Sequence, residues 1–199
     1  MLLGGVSGSG KSYLAARFGR PHVELDAFYR EISEHTGASP MPLTPYGEID
    51  WDHADTWNSG AAAGAIMDLL ETGSTRIPNY SIATSSYSGH RTVELAEGPV
   101  IAEGIFADAV LGRLRGLGAE VDPVFIRVSP ITTAVRRLVR DLREHRKPLP
   151  FLLKRGWAIF RSERAVRNRY VAAGFRPVAK RQVKRELAAL RRTPAAQRK

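Results

Sequence analysis

Eight residues near the start of the chain carry its clearest chemistry. Gly5-Val6-Ser7-Gly8-Ser9-Gly10-Lys11-Ser12 fits the pattern G-x-x-x-x-G-K-[ST]. Glycines let such a loop wrap an anion without Cβ clashes, and successive backbone N–H groups then point inward at it. A helix starting near Lys11 adds the partial positive charge of its N-terminus. In that arrangement the lysine reaches the β- and γ-phosphates of a nucleotide and the Ser12 hydroxyl ligates Mg²⁺. The expected nucleotide contacts are Gly5, Ser7, Gly8, Ser9, Gly10, Lys11, Ser12 and the adjoining Tyr13, with Mg²⁺ as the cation; the loop alone does not separate a kinase from a GTPase or a mechanical ATPase. A flexible glycine-rich leader is the plainer alternative. The guanine-reading pattern N-K-x-D does not occur in the chain.

Acidic and basic residues further along could complete a phosphate chemistry. Asp26 follows an apolar stretch and would stand at the carboxyl end of a strand, where α/β proteins bind ligands. There it could accept the proton of an attacking hydroxyl, or simply cap a helix from Ala27 onward. Glu103 follows Val100-Ile101-Ala102 and could hold Mg²⁺ directly or through water, or be an ordinary strand-end acid. Asp50-Trp51-Asp52-His53-Ala54-Asp55 gathers three carboxylates and an imidazole, but it lacks the glycine and distal glutamate of a calcium loop. Asp52 could instead grip a sugar diol, while His53, Trp51 and Trp57 suit packing. Arg136, Arg140 and Arg143 recur at helical spacing and would share one face.

The elements that would position these groups alternate between short apolar runs and helical stretches, the pattern of βαβ units. Strands are expected at 1–4, 22–25, 98–102, 124–128 and 176–179, with one strand of a small hairpin at 92–95. Helices are expected at 11–18, ended by Gly19, at 58–72, closed by Gly73, and at 181–192. Ser129-Pro130 reads as a helix opening, leading a basic helix to about Arg146 that Pro148 and Pro150 break. A further helix is expected over 151–173. Residues 33–50 read as a loop and 193–199 as a frayed end.

Composition bounds the classes. The chain has 199 residues, 43% hydrophobic and 25% charged, and no cysteine. It suits one α/β domain, here taken as 1–199, and excludes disulfides, zinc–thiolate sites and thiol nucleophiles. With no signal-like start and no apolar run of membrane-spanning length, a cytoplasmic protein without membrane contact is expected. The net charge of +10 is uneven: residues 1–135 hold 9 Lys+Arg and 16 Asp+Glu, residues 136–199 hold 21 and 4. The basic C-terminal region, 148–199, together with the helix before it, could clamp a polyphosphate, bind nucleic acid or be a solvated surface. It carries few aromatics and no recognisable base-stacking module, so a nucleotide-dependent nucleic-acid binder is the lesser reading.

In consistent order over about residues 2–147, the sequence resembles the uridine kinase and phosphoribulokinase family of P-loop kinases. The resemblance is carried by Gly4 to Ser12, Leu25-Asp26-Ala27-Phe28-Tyr29, Asp50 to Asp55, Ile77-Pro78-Asn79-Tyr80, Val100 to Ile105 and Arg136-Arg137-Leu138-Val139-Arg140-Asp141. It implies a P-loop NTPase fold: a five-stranded parallel sheet flanked by helices, with a basic helical lid at about 130–147. It further implies Mg·ATP-dependent phosphorylation of a hydroxyl on a nucleoside-like acceptor, with another sugar or vitamin-like alcohol as the sibling possibility. On this reading Asp26 is the base, and Lys11 and Arg140 stabilise the transferring phosphoryl. Ser12 and Glu103 hold Mg²⁺, Asp52 and Arg137 hold the sugar, and Tyr80 lines the ring pocket. Self-association is left open.

The sequence departs from that family after Tyr80. Relatives carry a histidine and an arginine there; this chain has Ser85 and Tyr87. Hydroxyls donate and accept alike, so the expectation is a required ribose and either a weakly discriminated base or a preferred non-pyrimidine ribosyl compound, with uridine and cytidine poor or middling acceptors.

Overall fold

The computed structural model describes residues 1–128 and 164–192. Five strands, β1 (Leu2–Gly4), β2 (His22–Glu24), β5 (Ile101–Glu103), β6 (Pro123–Arg127) and β7 (Arg176–Ala179), form one sheet in the order β2-β5-β1-β6-β7. Every pairing in it is parallel. A parallel sheet is covered on both faces, so its central strands β1, β5 and β6 are buried almost throughout and send alternate residues to opposite sides. Leu2, Ala102 and Phe125 enter one core with α2 (Ser59–Thr72) and α3 (Ala107–Gly116). Leu3, Ile101, Val124 and Ile126 enter the other with α1 (Lys11–Phe18) and α5 (Lys180–Arg192).

The helix ends follow their local signals. Asn58 caps α2 by accepting from the Ala61 N–H at 2.9 Å, and Gly73 ends it in the left-handed region at φ 81°. Described residues 164–172 form α4, the latter part of the helix expected over 151–173. From α4, Tyr170 drives its ring into the space a Cβ on Gly4 would need and donates to the Ile105 carbonyl at 2.7 Å. This ties α4 to the ends of β1 and β5.

Three expectations change. The hairpin is larger than the stretch at 92–95: β3 (Ser74–Ser81) and β4 (Ser86–Glu94) pair antiparallel as a separate two-stranded sheet, with a bulge between Pro78 and Tyr80. Its period-two signal is weak because Thr75 and Ile77 are the only buried residues of β3 and none of β4 is buried, while most positions are polar. β2 stops at Glu24, and Leu25–Phe28 form a tight 3₁₀ turn, which places Asp26 inside a turn. α3 was not expected; its apolar residues Val110, Leu111 and Leu114 are interleaved with glycine and arginine. The lid helix and residues 193–199 lie outside the described residues.

Candidate active site

The phosphate loop is a short arch between β1 and α1. Gly5, Gly8 and Gly10 have φ of 149°, 80° and 93°, values that L side chains rarely adopt. No side chain caps α1, whose N-cap is Gly10, so its first turn opens onto the arch. Lys11 is buried and its Nζ donates to the Gly5 carbonyl at 3.0 Å, folding the ammonium back across the loop. The Ser9 hydroxyl is fully buried and has no hydrogen-bond partner among the described residues. An unsatisfied hydroxyl in an arch shaped by three glycines of positive φ fits a phosphate-binding loop.

At the end of the sheet beside this loop stand three carboxylates. Glu103, the last residue of β5, is buried and pairs with Nε2 of His22 at 3.3 Å. Burial pushes its pKa up, but the His22 hydrogen bond, the Lys11 charge and the Ser12 hydroxyl outweigh this and hold it below the usual carboxylate range. Glu103 is therefore an anion in contact with the Ser12 hydroxyl. Asp26 behaves oppositely. Desolvation by the surrounding protein and the neighbouring Glu103 charge raise its pKa to about 6, against the lowering effect of Lys11. Glu24, two residues before it, completes the set.

These acids face a cleft of about 350 Å³ lined by Ser12, Asp26 and Glu103 on the sheet side and by Asn79, Tyr80 and Arg91 on the hairpin side. Aromatic contacts hold the hairpin in place: Tyr29 stacks on Tyr80 at 5.6 Å and meets Phe106 edge-on at 5.8 Å. Among the described residues no group of three or more His, Asp or Glu side chains is placed to hold a metal ion. Ser12 with Glu103 offers one hydroxyl and one carboxylate. That donor set fits Mg²⁺, which keeps several waters and takes its other oxygens from substrate phosphates.

The expected residues are thus partly assembled. Lys11, Ser12, Asp26, Glu103 and Tyr80 meet around the arch and cleft. Asp52 lies in the exposed 50–55 turn outside the cleft lining, close enough for its charge to act on Tyr29. Arg137 and Arg140 lie outside the described residues. Ser85 and Tyr87 do not line the cleft: the Tyr87 hydroxyl donates to the Tyr29 carbonyl, so the expectation that it reads the acceptor is corrected. Tyr80 likewise directs its hydroxyl at the Arg30 carbonyl, 3.3 Å away, and offers the cleft its ring.

Four cleft or loop residues escaped the sequence reading: His22, Glu24, Arg91 and Lys180. His22-x-Glu24-x-Asp26 places polar residues at alternate positions up to the end of an otherwise apolar strand, a signal that could have been read. Lys180 begins α5, directly after β7, and its ammonium occupies the space a Cβ on Gly10 would fill. It also lies 5.5 Å from the centre of the Tyr13 ring. Parallel strands all end on one side of a sheet, which brings this distant residue to the loop.

The chain is similar to known kinases in sequence and in fold. A probable uridine-cytidine kinase of Caenorhabditis elegans is 31% identical over 132 residues, 66% of this chain and 50% of that protein. This likeness supports a uridine kinase-like family of P-loop kinases. Uridine-cytidine kinase 2-B of Danio rerio is 25% identical over 131 residues, 66% of this chain and 48% of its own length. The chain therefore spans about half the length of the curated relatives it matches. A crystal structure from Silicibacter sp. TM1040, provisionally named a fructose transport system kinase, superposes with a TM-score of 0.62 at 16% identity, covering 84% of this chain and 83% of that one. That likeness shows the shared fold. No protein-family model matches the chain. Among the described residues, no helix is long and apolar enough to cross a membrane.

Proposed function

We propose that this uridine kinase-like chain transfers the γ-phosphoryl group of Mg·ATP to a hydroxyl of a small nucleoside-like acceptor. The observation that carries the reading is the single cleft in which the Ser12–Glu103 pair and Asp26 face the hairpin wall. When bound, Mg·ATP would supply the phosphoryl group and the cation that neutralises it. Lys11 and the backbone of Gly5 to Ser12 would cradle the phosphates, with Tyr13 at the nucleotide side. Glu103, held ionised, and Ser12 would hold the cation.

Asp26 would take the proton from the acceptor hydroxyl. A carboxylate whose pKa is about 6 is a stronger base than an ordinary aspartate yet is still mostly ionised at neutral pH. Tyr80 and the hairpin would hold the acceptor's ring and Asp52 its sugar. In the lid-helix motif, Arg140 is assigned with Lys11 to the transferring phosphoryl and Arg137 to the sugar. The test is ADP release from the purified protein with Mg·ATP fixed, over a panel of ribonucleosides, 2′-deoxynucleosides and small alcohols. Transfer to one or more ribonucleosides is expected. ATP binding without transfer to any member of the panel would overturn the reading.

A further inference from the structure

The hairpin wall of the cleft combines apolar surface with unspent hydrogen-bond donors. Pro78, Ile82 and the Tyr80 ring supply the apolar part, and Asn79 and Arg91 the polar part. Arg91 lies on β4 opposite the buried Ile77 of β3, and its guanidinium reaches across to Glu24 of β2, Nη2 to Oε2 at 3.0 Å. Among the described residues this is the one hydrogen bond it makes, and it uses one of the five N–H donors of the side chain. The Asn79 side-chain amide makes none among the described residues. Its strand is bulged at that point, the device by which sheets re-aim a side chain.

Charge narrows what these donors can meet. Glu24 offsets the Arg91 cation, and Asp26 and Glu103 add negative charge across the same cleft. An acceptor bearing a carboxylate would be repelled. An uncharged flat ring, its faces against Pro78, Ile82 and Tyr80 and its edge carrying carbonyl oxygens or ring nitrogens, matches both surfaces.

We infer that Arg91, oriented by Glu24, reads the acceptor by donating hydrogen bonds to carbonyl oxygens or ring nitrogens on its uncharged ring. This rests on the kinase reading above. It also names a specificity-determining residue, Arg91 on β4, distinct from the Ser85 and Tyr87 positions where relatives carry a histidine and an arginine. Glu24 is a positioning residue: it fixes the guanidinium and sets the net charge presented to the ring.

The experiment compares acceptors that share the same ribose hydroxyls. Initial rates are measured for uridine, cytidine, adenosine and guanosine against 1-phenylribose, whose ring has no hydrogen-bonding atoms. A site built to hydrogen-bond a polar ring rejects an analogue lacking those atoms strongly. The wild type should prefer its best nucleoside to 1-phenylribose by about 10²-fold or more. Arg91→Met keeps the apolar stem and removes the donors. It should raise the nucleoside KM about tenfold or more and shrink the preference below about tenfold, the scale of losing hydrogen bonds from a charged donor. The KM for ATP should not change. Glu24→Gln keeps an acceptor for Arg91 but unmasks its charge, so 5-carboxyuridine should gain relative to uridine. A purely structural strap would not produce that change of preference.

The inference is overturned if Arg91→Met retains both nucleoside KM and preference while only its melting temperature falls. It is also overturned if the wild type phosphorylates 1-phenylribose as well as nucleosides. A wild type that transfers phosphate to none of these compounds nor to any other alcohol removes the kinase reading itself, and does so before any variant is made.

Discussion

The two sides of the cleft are held by different means. On the nucleotide side, three glycines of positive φ and the uncapped start of α1 set the arch within eight contiguous residues. On the acceptor side, β3 and β4 form their own sheet and meet the rest of the chain mostly through side chains, Tyr80 on Tyr29, Tyr87 on the Tyr29 carbonyl and Arg91 on Glu24, with a backbone bond from the Ile32 N–H to the Ser85 carbonyl at the turn. The first side is fixed by backbone conformation, the second by long-range packing and one exposed ion pair. Backbone-fixed sites tolerate few substitutions. Packing-fixed sites can change their occupant by changing a handful of side chains, as the contrast between Tyr87 and Arg91 illustrates.

The largest effect should come from the nucleotide side. Lys11→Ala removes the ammonium that folds across the loop to the Gly5 carbonyl. Transfer should fall to background with every acceptor, a loss of about 2.7–4 kcal/mol or more in transition-state terms. Circular dichroism should still report a folded protein, since both cores are built from other residues. Near-normal turnover in this variant would dissolve the contrast, because the arch would no longer be the phosphate site.

Asp26 lies where the two sides meet. Asp26→Asn should lower kcat by about 10²–10⁴ with little change in ATP affinity. In the wild type kcat/KM should rise with pH to a plateau above about pH 6, as the carboxylate becomes available as a base. Stability should run the other way. The folded-state pKa lies above that of the unfolded chain, so the folded protein binds this proton more tightly. The resulting contribution is fully present below the unfolded value of about 4 and is lost as pH rises through 6. Asp26→Asn should therefore melt higher than the wild type at pH 8 and lose that advantage as pH falls through 6, in scans without nucleotide. Equal melting at pH 8 would mean that Asp26 is not held in a crowded, anionic setting.

The same division governs what could be read from the chain. The arch, α1 over Lys11–Phe18 and β7 over Arg176–Ala179 are legible because glycine placement and apolar runs are local signals. The five-stranded parallel sheet follows from short apolar runs between helices, reinforced by family resemblance. Only the end of the hairpin is legible, since its strands bury little apolar surface of their own and rest on an aromatic cluster of residues 29, 80, 87 and 106 that lie far apart in the chain. The partnership of Glu24 with Arg91 spans 67 positions, and no spacing rule reaches that far. Tyr87 was misjudged because a hydroxyl in the expected segment was taken to face the cleft, whereas the fold uses it to anchor the hairpin to the Tyr29 carbonyl.

Asp52 tests how far the acceptor side extends. It sits in an exposed turn beyond the cleft lining, with its charge felt at Tyr29, which in turn stacks on Tyr80. If this turn grips the acceptor's sugar, Asp52→Asn should raise the KM for a ribonucleoside about tenfold and leave the KM for ATP unchanged, the scale of one hydrogen bond to a charged group. The 2′-deoxynucleoside, with one diol oxygen missing, should be affected less. Equal loss on ribo- and deoxy-acceptors would remove the diol contact and confine acceptor binding to the hairpin wall.

The smallest effect is expected at Lys180, which tests whether the nucleotide side is purely local. Its ammonium lies against Gly10 and near the Tyr13 ring, delivered from the far end of the sequence by β7. A cation there would add to the field of the arch at the phosphates without touching the transferred group. Lys180→Met preserves the stem that packs near Tyr13 and deletes the charge. The ATP Kd, measured by isothermal titration, should weaken about three- to tenfold, with kcat within about twofold of wild type, as for uniform ground-state binding. The difference between the two proteins should narrow as salt is raised, because an electrostatic contribution at a partly open site is screened. An unchanged ATP Kd with a lower melting temperature would make Lys180 a packing residue and leave the arch a self-contained device of residues 5–12. A collapse of kcat would place Lys180 at the transferring phosphoryl, and the nucleotide side would then depend on long-range assembly as much as the acceptor side does.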